Sequence, residues 1–152
     1  MQVADIMHRD VVTVEGRDTF ASAAKVLRDH RISSVVVKGD RGPAGIVTER
    51  DFVALIADGL DPATTTVAER MTLDLATVAP SADIAEAARV MAERGIRHLP
   101  VVGRAKRLAG IISIRDLVTW AVEEMTGGYE LPDLERSSAA LSAAVQVERA
   151  SR

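Results

Sequence analysis

The chain carries one sequence pattern twice, and this internal repeat constrains its fold more than any other feature. Residues 3–14 (VADIMHRDVVTV) align with residues 67–78 (VAERMTLDLATV) at an offset of 64, and six of the twelve positions are identical. The same offset pairs residues 20–27 with residues 84–91. A repeat of this length indicates one supersecondary unit that is built twice and packs against its own copy.

Hydrophobic spacing predicts the helices of each copy. In both copies three apolar residues recur at i, i+4 and i+7, which places them on one face of a helix. A capping box, Thr66-x-x-Glu69, predicts a further helix start at residue 67. The apolar residues are Phe20, Ala24 and Leu27 in the first copy and Ile84, Ala88 and Met91 in the second.

Both copies predict the same order of elements: a helical turn, a short strand, a helix, two further strands and a closing helix. The paired strands are nearly all β-branched residues or Leu, as is typical of buried sheets. This order, β-α-β-β-α twice, places the chain in the α/β (α+β) class. The predicted strands lie at residues 11–14, 33–38 and 44–48 in the first copy and at residues 75–78, 98–102 and 108–113 in the second.

The pattern divides the chain into a first repeat at 1–62, a second at 63–126 and a remainder at 127–152. Within the remainder, residues 133–150 are rich in Ala and Ser, with apolar residues spaced for a weakly amphipathic helix. The sequence leaves open whether this segment is an appended C-terminal helix or a frayed tail.

Composition excludes several classes of function. The chain has no cysteine, so it has neither disulfides nor thiolate chemistry nor cysteine-based zinc sites. Aromatic residues make up only 3% and the net charge is −3, which disfavours nucleic-acid binding by base stacking or by a basic field. No apolar run approaches 18 residues and no signal peptide precedes the repeat, so we expect a cytoplasmic protein without a membrane segment.

The sharpest motif closes each repeat: Gly-apolar-apolar-Thr/Ser-x-Arg-Asp, within the paired segments 45–52 and 110–117. A strand there runs into a hydroxyl residue, and a helix begins with a carboxylate three positions later. The helix start attracts an anion such as phosphate. The hydroxyl can donate to a phosphate oxygen, the arginine adds positive charge, and the carboxylate can accept from the paired hydroxyls of a ribose. The residues are Thr48, Arg50 and Asp51 in the first copy and Ser113, Arg115 and Asp116 in the second.

A simpler interpretation of the same motif is a helix cap. Thr or Ser at the N-cap with Asp at N3 forms an ordinary capping box, in which both side chains only satisfy helix-end donors. Because the full pattern recurs in register in both copies, we favour a binding role in addition to capping.

The repeat order, the two Gly-apolar-apolar-Thr/Ser-x-x-Asp endings and the Ile-Arg-His-Leu-Pro-Val-Val run at 96–102 resemble the CBS domain, the cystathionine-β-synthase-type motif. The resemblance covers roughly residues 1–126 as a tandem pair. It implies a stand-alone Bateman-type module whose repeats pack about a pseudo-two-fold axis and leave two clefts. Such clefts commonly bind AMP, ADP, ATP, S-adenosylmethionine or NAD(H), with no obligatory cofactor.

In this family the aspartate holds the ribose, the hydroxyl residue faces phosphate, and the opposite repeat supplies the adenine pocket. Carried onto this chain, the Asp116 cleft would be formed by Ser113 and Asp116 with Val12, Ile32 and Ser33, and with Arg97 and His98 near the phosphate. The Asp51 cleft would be formed by Thr48 and Asp51 with Ala76 and Ile96, and with Ser33 and Ser34 nearby. The uneven positive charge predicts that the Asp116 cleft binds more tightly.

The histidines and the basic run at 104–107 have simpler explanations than ligand or metal binding. His98 at a strand start is more often a structural residue than a ligand contact, and the basic run Arg104–Arg107 is more often a solvated surface than a phosphate site. The three histidines (His8, His30 and His98) are scattered without metal-ligand spacing, so no metal site is predicted.

Two functional hypotheses remain, and neither is an enzyme, because no nucleophile–base pair or metal cluster is assembled. The first is a sensor of an adenosine-containing nucleotide. The second is a dimerisation and protein-interaction module with empty clefts. Under both we expect a homodimer through the closing helices at 50–59 and 115–126. The second adds Phe52, Leu117 and Trp120 as exposed anchors for an unidentified protein target.

Overall fold

The computed structural model describes residues 1–127, so the predicted helix or tail at 133–150 lies outside the described residues. Two compact units are present, Met1–Asp116 and a second that begins at Leu117. In chain order the elements are α1 (Val3–Ile6), β1 (Thr13–Val14), α2 (Phe20–His30), β2 (Ser34–Lys38), β3 (Pro43–Thr48), α3 (Glu49–Ala57), α4 (Val67–Arg70), α5 (Ile84–Arg94), β4 (His98–Val102), a 3-10 turn (Arg104–Lys106), β5 (Leu108–Ser113) and α6 (Ile114–Met125).

The predicted mixed fold with two similar halves is confirmed. In the first half β1 pairs in parallel with β2, and β2 pairs antiparallel with β3; in the second half β4 pairs antiparallel with β5. The predicted strand at residues 75–78 is wrong. Only Val78 reaches a neighbour, in a single parallel bridge to Val101, because the segment before it runs as an unpaired loop.

The buried stripes of α2 and α5 differ by one residue from the predicted stripes. Ala23 and Ala87 are fully buried, whereas Ala24 is exposed and Ala88 only half-buried. The true pattern is therefore i, i+3 and i+7, which follows the same helix face equally well. Both repeats shift identically, so the stripes remain equivalent.

The two repeats are interleaved. The short helix that begins each repeat contacts the segment leading into the long helix of the other repeat, through pairs of backbone hydrogen bonds. The first N–H groups of each short helix are therefore satisfied by carbonyl groups of the other repeat. The donor–acceptor pairs are Val3 to Ala82 and Ala4 to Pro80 at 2.9 Å, and Val67 to Asp18 and Ala68 to Gly16 at 2.8 Å.

The glycine of each closing motif is required by this interleaving. Residues Met7 and His8 lie along the edge of β5, where the N–H groups of His8 and Ile111 each donate to the other's carbonyl at 2.9 Å. A Cβ added to Gly110 would lie 2.7 Å from Met7 Sδ and 2.8 Å from the His8 carbonyl oxygen. Only glycine permits this close approach.

The first repeat reproduces the arrangement at its own edge strand. Thr72 and Ile46 exchange backbone hydrogen bonds of 3.0 and 3.2 Å. A Cβ on Gly45 would lie 2.7 Å from Met71 Sδ and 2.8 Å from the Thr72 carbonyl oxygen. His8 and Thr72 therefore occupy equivalent places in the two halves, each beside the closing strand of the other repeat.

The prediction of exposed aromatic and aliphatic anchors needs correction. Phe52 is half-buried and packs edge-to-face against the buried Phe20, with ring centroids 4.9 Å apart, as part of the core of the first repeat. Leu117 is buried and Trp120 is half-buried. The large exposed apolar side chains of the closing helices are instead Val53, Ile56, Ile114, Val118 and Met125.

Candidate functional site

The aspartate of the first motif is fixed by the residue that ends β3. The backbone N–H of Thr48 donates to Asp51 Oδ2 at 2.6 Å, and the Thr48 hydroxyl donates to the same oxygen at 3.1 Å. Among residues 1–127, no side chain makes a hydrogen bond or ion pair with Oδ1, the other oxygen of Asp51. The carboxylate is thus oriented by the helix start and keeps one acceptor oxygen unused.

The second motif has the same cap with one further contact. The N–H and hydroxyl of Ser113 donate to Asp116 Oδ2 at 2.6 and 2.7 Å. The other oxygen, Oδ1, lies 2.9 Å from His8 Nε2. The helix-cap interpretation is therefore correct for both motifs, but capping uses only one oxygen of each carboxylate.

Residues 33 and 98 connect the two motifs across the repeats. Ser33 Oγ lies 3.0 Å from His98 Nε2, and the Ser33 carbonyl accepts from the N–H of Glu49 at 3.1 Å, at the start of α3. The Arg97 carbonyl accepts from the N–H of Ile114 at 2.9 Å, at the start of α6. The predicted residues Ser33, Arg97 and His98 thus lie beside both helix starts.

His98 differs from its counterpart in its electrostatic surroundings. Burial lowers the pKa of His98 below its ordinary value of 6.5, and Arg97 and Arg115 lower it further, while Asp116 and Glu49 act in the opposite direction. Its counterpart in β2 is Ser34, which is buried and uncharged. At this strand position the second repeat thus has a titratable side chain and the first repeat has none.

The remaining predicted site residues make no hydrogen bond to either aspartate in the described part of the chain, and their place in the proposed clefts stays a prediction. Val12 and Ile32 pack against the core of the first repeat, and Ala76 and Ile96 are half-buried. Ser34 sits opposite Thr48 in the sheet. The arginines Arg50, Arg97 and Arg115 are exposed.

The basic run Arg104–Arg107 lies at a different place. It follows β4 and, with the β2–β3 turn, encloses a cavity of about 580 Å³, which none of the predicted cleft residues lines. The lining residues are Asp40, Arg41, Gly42, Ala105, Arg107 and Leu108. That this run is a solvated surface and not a phosphate site stays a prediction.

Neither a metal site nor a membrane segment emerges from the described residues. Within residues 1–127, no three His, Asp or Glu side chains are grouped so that they could hold a metal ion. None of the helices in that range is long and apolar enough to cross a membrane.

Comparison with known proteins agrees with this architecture. The CBS domain profile matches residues 3–58 and again residues 67–123. Because the two matches cover most of the chain, it belongs to the CBS-domain family. The chain is 32% identical over 120 residues to the uncharacterized protein MK0525 of Methanopyrus kandleri; the match covers 78% of this chain and 61% of that relative, so the chain spans about three fifths of its length.

Two solved structures of CBS-domain proteins resemble the chain closely. The CBS-domain containing protein ATU1752 from Agrobacterium tumefaciens has a TM-score of 0.74 and 35% identity, with 80% of this chain and 99% of that chain covered. The CBS domain pair of protein MJ0100, solved in complex with 5-methylthioadenosine and S-adenosyl-L-methionine, has a TM-score of 0.73 and 25% identity, with 80% and 99% covered.

Sequence reasoning missed one side chain at these motifs. His8 was noted only as one of three scattered histidines, yet its ring contacts the aspartate of the second motif across 108 positions of sequence. The available signal was indirect: Gly110 inside a strand indicates that another backbone approaches there, and the approaching backbone is that of His8.

Proposed function

We propose that the chain is a regulatory module that senses an adenosine-containing nucleotide in two clefts, one at Asp51 and one at Asp116. The observation that carries this proposal is the duplicated carboxylate, held in each copy by a hydroxyl and an N–H at a helix start. The adenosyl ligands of the MJ0100 pair, which shares the fold, support the same class of ligand.

Each motif suits a nucleotide because its carboxylate acceptor and its positively charged arginine lie at the same helix start. An oriented carboxylate accepts strong hydrogen bonds from the vicinal hydroxyls of a ribose. Arg50 and Arg115 lie in the first turns of α3 and α6, where the helix dipole adds to their charge and favours phosphate. We infer a ribose at each aspartate and the phosphate or sulfonium side of the ligand near the arginines.

Regulation would follow from the interleaved repeats. A ligand that contacts residues of both repeats stabilises the relative arrangement in which those contacts form, and it shifts the population toward that arrangement. Since the first turn of each repeat is hydrogen-bonded to the other repeat, such a shift involves both repeats. We further propose a non-catalytic, cytoplasmic homodimer that pairs through its closing helices and passes this change to a protein target.

A thermal-shift panel with AMP, ADP, ATP, S-adenosylmethionine and NADH tests the proposal. A ligand at about 100 times its dissociation constant stabilises the folded state by roughly 2.7 kcal/mol. For a chain of this size that corresponds to a rise in Tm on the order of 5–10 °C. We expect a rise with at least one ligand, reduced in Asp51→Ala or Asp116→Ala and abolished in the double variant.

The matched control is Glu69→Ala. Glu69 accepts from the N–H and the hydroxyl of Thr66, both at 2.6 Å, in a capping box that repeats the geometry of the two aspartates but belongs to neither motif. This variant distinguishes the loss of a capping box from the loss of the ligand site, because the ligand-induced rise in Tm should be unchanged in Glu69→Ala. An unchanged rise in the Asp51→Ala/Asp116→Ala double variant would contradict the proposed clefts.

The alternative, a dimerisation module with empty clefts, is favoured by one observation. Val53 and Ile56 project from α3 with 69% and 62% of their surface exposed. We expect Val53→Asp/Ile56→Asp to convert a dimer to a monomer in light scattering. If no nucleotide raises Tm while this variant loses a partner protein, the interaction module is the better description.

A further inference from the structure

The two aspartates differ in the partner of Oδ1, the carboxylate oxygen that the capping hydrogen bonds do not use. In the first repeat Asp51 Oδ1 has no side-chain partner among residues 1–127. In the second repeat Asp116 Oδ1 lies 2.9 Å from His8 Nε2. An ionised carboxylate can only accept, so the imidazole donates its N–H to this oxygen. Oδ1 of Asp51 can therefore accept a hydrogen bond from a ligand, whereas Oδ1 of Asp116 already accepts one from His8.

The position of His8 follows from the fold. Its backbone is fixed to the edge of β5 by the paired hydrogen bonds with Ile111. This is possible because Gly110 has no Cβ and lets the His8 backbone approach closely. The equivalent backbone place in the other half is taken by Thr72, bonded to Ile46 over Gly45. The same scaffold therefore brings a histidine ring to Asp116 in one half, whereas the equivalent backbone position beside β3 in the other half carries the shorter side chain of Thr72.

The imidazole is anchored weakly enough to move. The His8 side chain is 68% exposed, whereas that of Asp116 is 15% exposed. Apart from Asp116, the described residues make no side-chain hydrogen bond to the ring. Because the His8 partner is largely exposed to solvent, this contact contributes little net free energy, so a ligand hydroxyl can replace the imidazole at a modest cost.

We propose that His8 is a built-in competitor for the Asp116 carboxylate. It occupies the oxygen that a vicinal diol needs, so the Asp116 cleft binds a ribose-bearing ligand more weakly and the Asp51 cleft fills first. This order reverses the one expected from the distribution of arginines. The inference rests on the proposed function, because it assumes that the ligand donates hydroxyls to these aspartates.

Equilibrium dialysis with AMP and with S-adenosylmethionine, both of which carry a free ribose diol, tests the order of filling. Asp116→Ala leaves the Asp51 cleft and Asp51→Ala leaves the Asp116 cleft. We expect the first variant to bind about twofold to fivefold more tightly than the second, the range for one exposed hydrogen-bonded pair. Adding His8→Thr to Asp51→Ala should recover that factor, because threonine is the residue at the equivalent place.

Two control variants exchange the residues at positions 8 and 72, which are equivalent in the two repeats. His8→Thr added to Asp116→Ala should change nothing, and Thr72→His added to Asp116→Ala should weaken the Asp51 cleft by a similar factor. Equal affinities of the two single variants, or no gain from His8→Thr in Asp51→Ala, would overturn the competitor while leaving the sensor intact. No binding of either probe to the unaltered chain would overturn both.

NMR of the histidine rings in the ligand-free protein checks the contact directly. The His8 ring resonances should shift in Asp116→Ala and stay in place in Asp51→Ala. Unchanged His8 resonances in Asp116→Ala would overturn the proposal even if both variants bind nucleotide.

Discussion

The two repeats share their backbone plan and differ in the side chains that surround it. Each has an aspartate capped by a hydroxyl residue, a glycine under the other repeat's first turn, and an interleaved helix start. Yet the second repeat has His98 where the first has Ser34, and its aspartate contacts His8 whereas Thr72 occupies that place in the first. The two motifs thus share one framework while their immediate surroundings differ, so motifs that are equal in sequence are not equivalent in structure.

The largest expected effect concerns Phe52, which sequence reasoning had placed on the surface. Phe52→Ala should lower the free energy of unfolding by about 2–4 kcal/mol, because the ring packs against Phe20 in the core. Val53→Ala, at the neighbouring exposed position, should stay within about 0.5 kcal/mol. Urea unfolding measures both, and equal effects of the two would contradict the assignment of α3's buried face.

A second test addresses whether the two interleaved edges are truly equivalent. Gly45→Ala and Gly110→Ala should each cost about 1–3 kcal/mol of unfolding free energy, since a Cβ meets a carbonyl oxygen 2.8 Å away in both repeats. Gly103→Ala is the control, because its nearest neighbour would be 3.7 Å away and the expected change is within about 0.5 kcal/mol. A cost at one edge only would break the equivalence.

The hydroxyl caps offer a smaller, paired comparison. Thr48→Ala and Ser113→Ala each remove a side-chain donor to the aspartate and should lower the unfolding free energy by about 0.5–2 kcal/mol. Similar losses in chemical denaturation would show that capping is shared equally by the repeats. A loss confined to Ser113→Ala would mean that the Thr48 contact, the longer of the two, contributes nothing.

The smallest effect is the pH dependence that His98 adds at a position where the first repeat has the uncharged Ser34. Because the pKa of His98 is lowered in the folded protein, the unfolded chain binds the proton more readily. His98 therefore contributes its stability in full above about pH 6.5, and that stability is lost as the pH falls from 6.5 toward the lowered pKa. In thermal unfolding from pH 7.5 to 5, His98→Ser should lose less stability than the unaltered chain; identical profiles would contradict the assigned environment.

The sequence predicted most of the framework because the repeat supplied each element twice. β4 and β5 match their predicted bounds, and the closing helices predicted at 50–59 and 115–126 begin within one residue of the observed starts of α3 and α6. The strand at 75–78 failed because β-rich composition does not reveal whether a neighbouring strand is within reach. The stripes of α2 and α5 shifted by one position because two adjacent alanines satisfy the same spacing.

What could not be predicted was which repeat each first turn would contact. Sequence similarity at a fixed offset shows what was copied, and it is silent on whether a copied segment packs against its own repeat or the other one. The contact between His8 and Asp116 follows from that choice and spans 108 positions. In the sequence, only Gly45 and Gly110 indicated such contacts, because a glycine inside a strand lets another backbone approach closely.

A crystal structure of the protein grown with S-adenosylmethionine or AMP would show whether the two motif aspartates hold the ribose of an adenosyl ligand. We expect ligand ribose hydroxyls within hydrogen-bonding distance of the Asp51 carboxylate, with the Asp116 site filled only where His8 has moved aside. Ligand bound elsewhere, for example in the cavity beside Arg107, with both aspartates free of it, would rule out the proposed ribose sites.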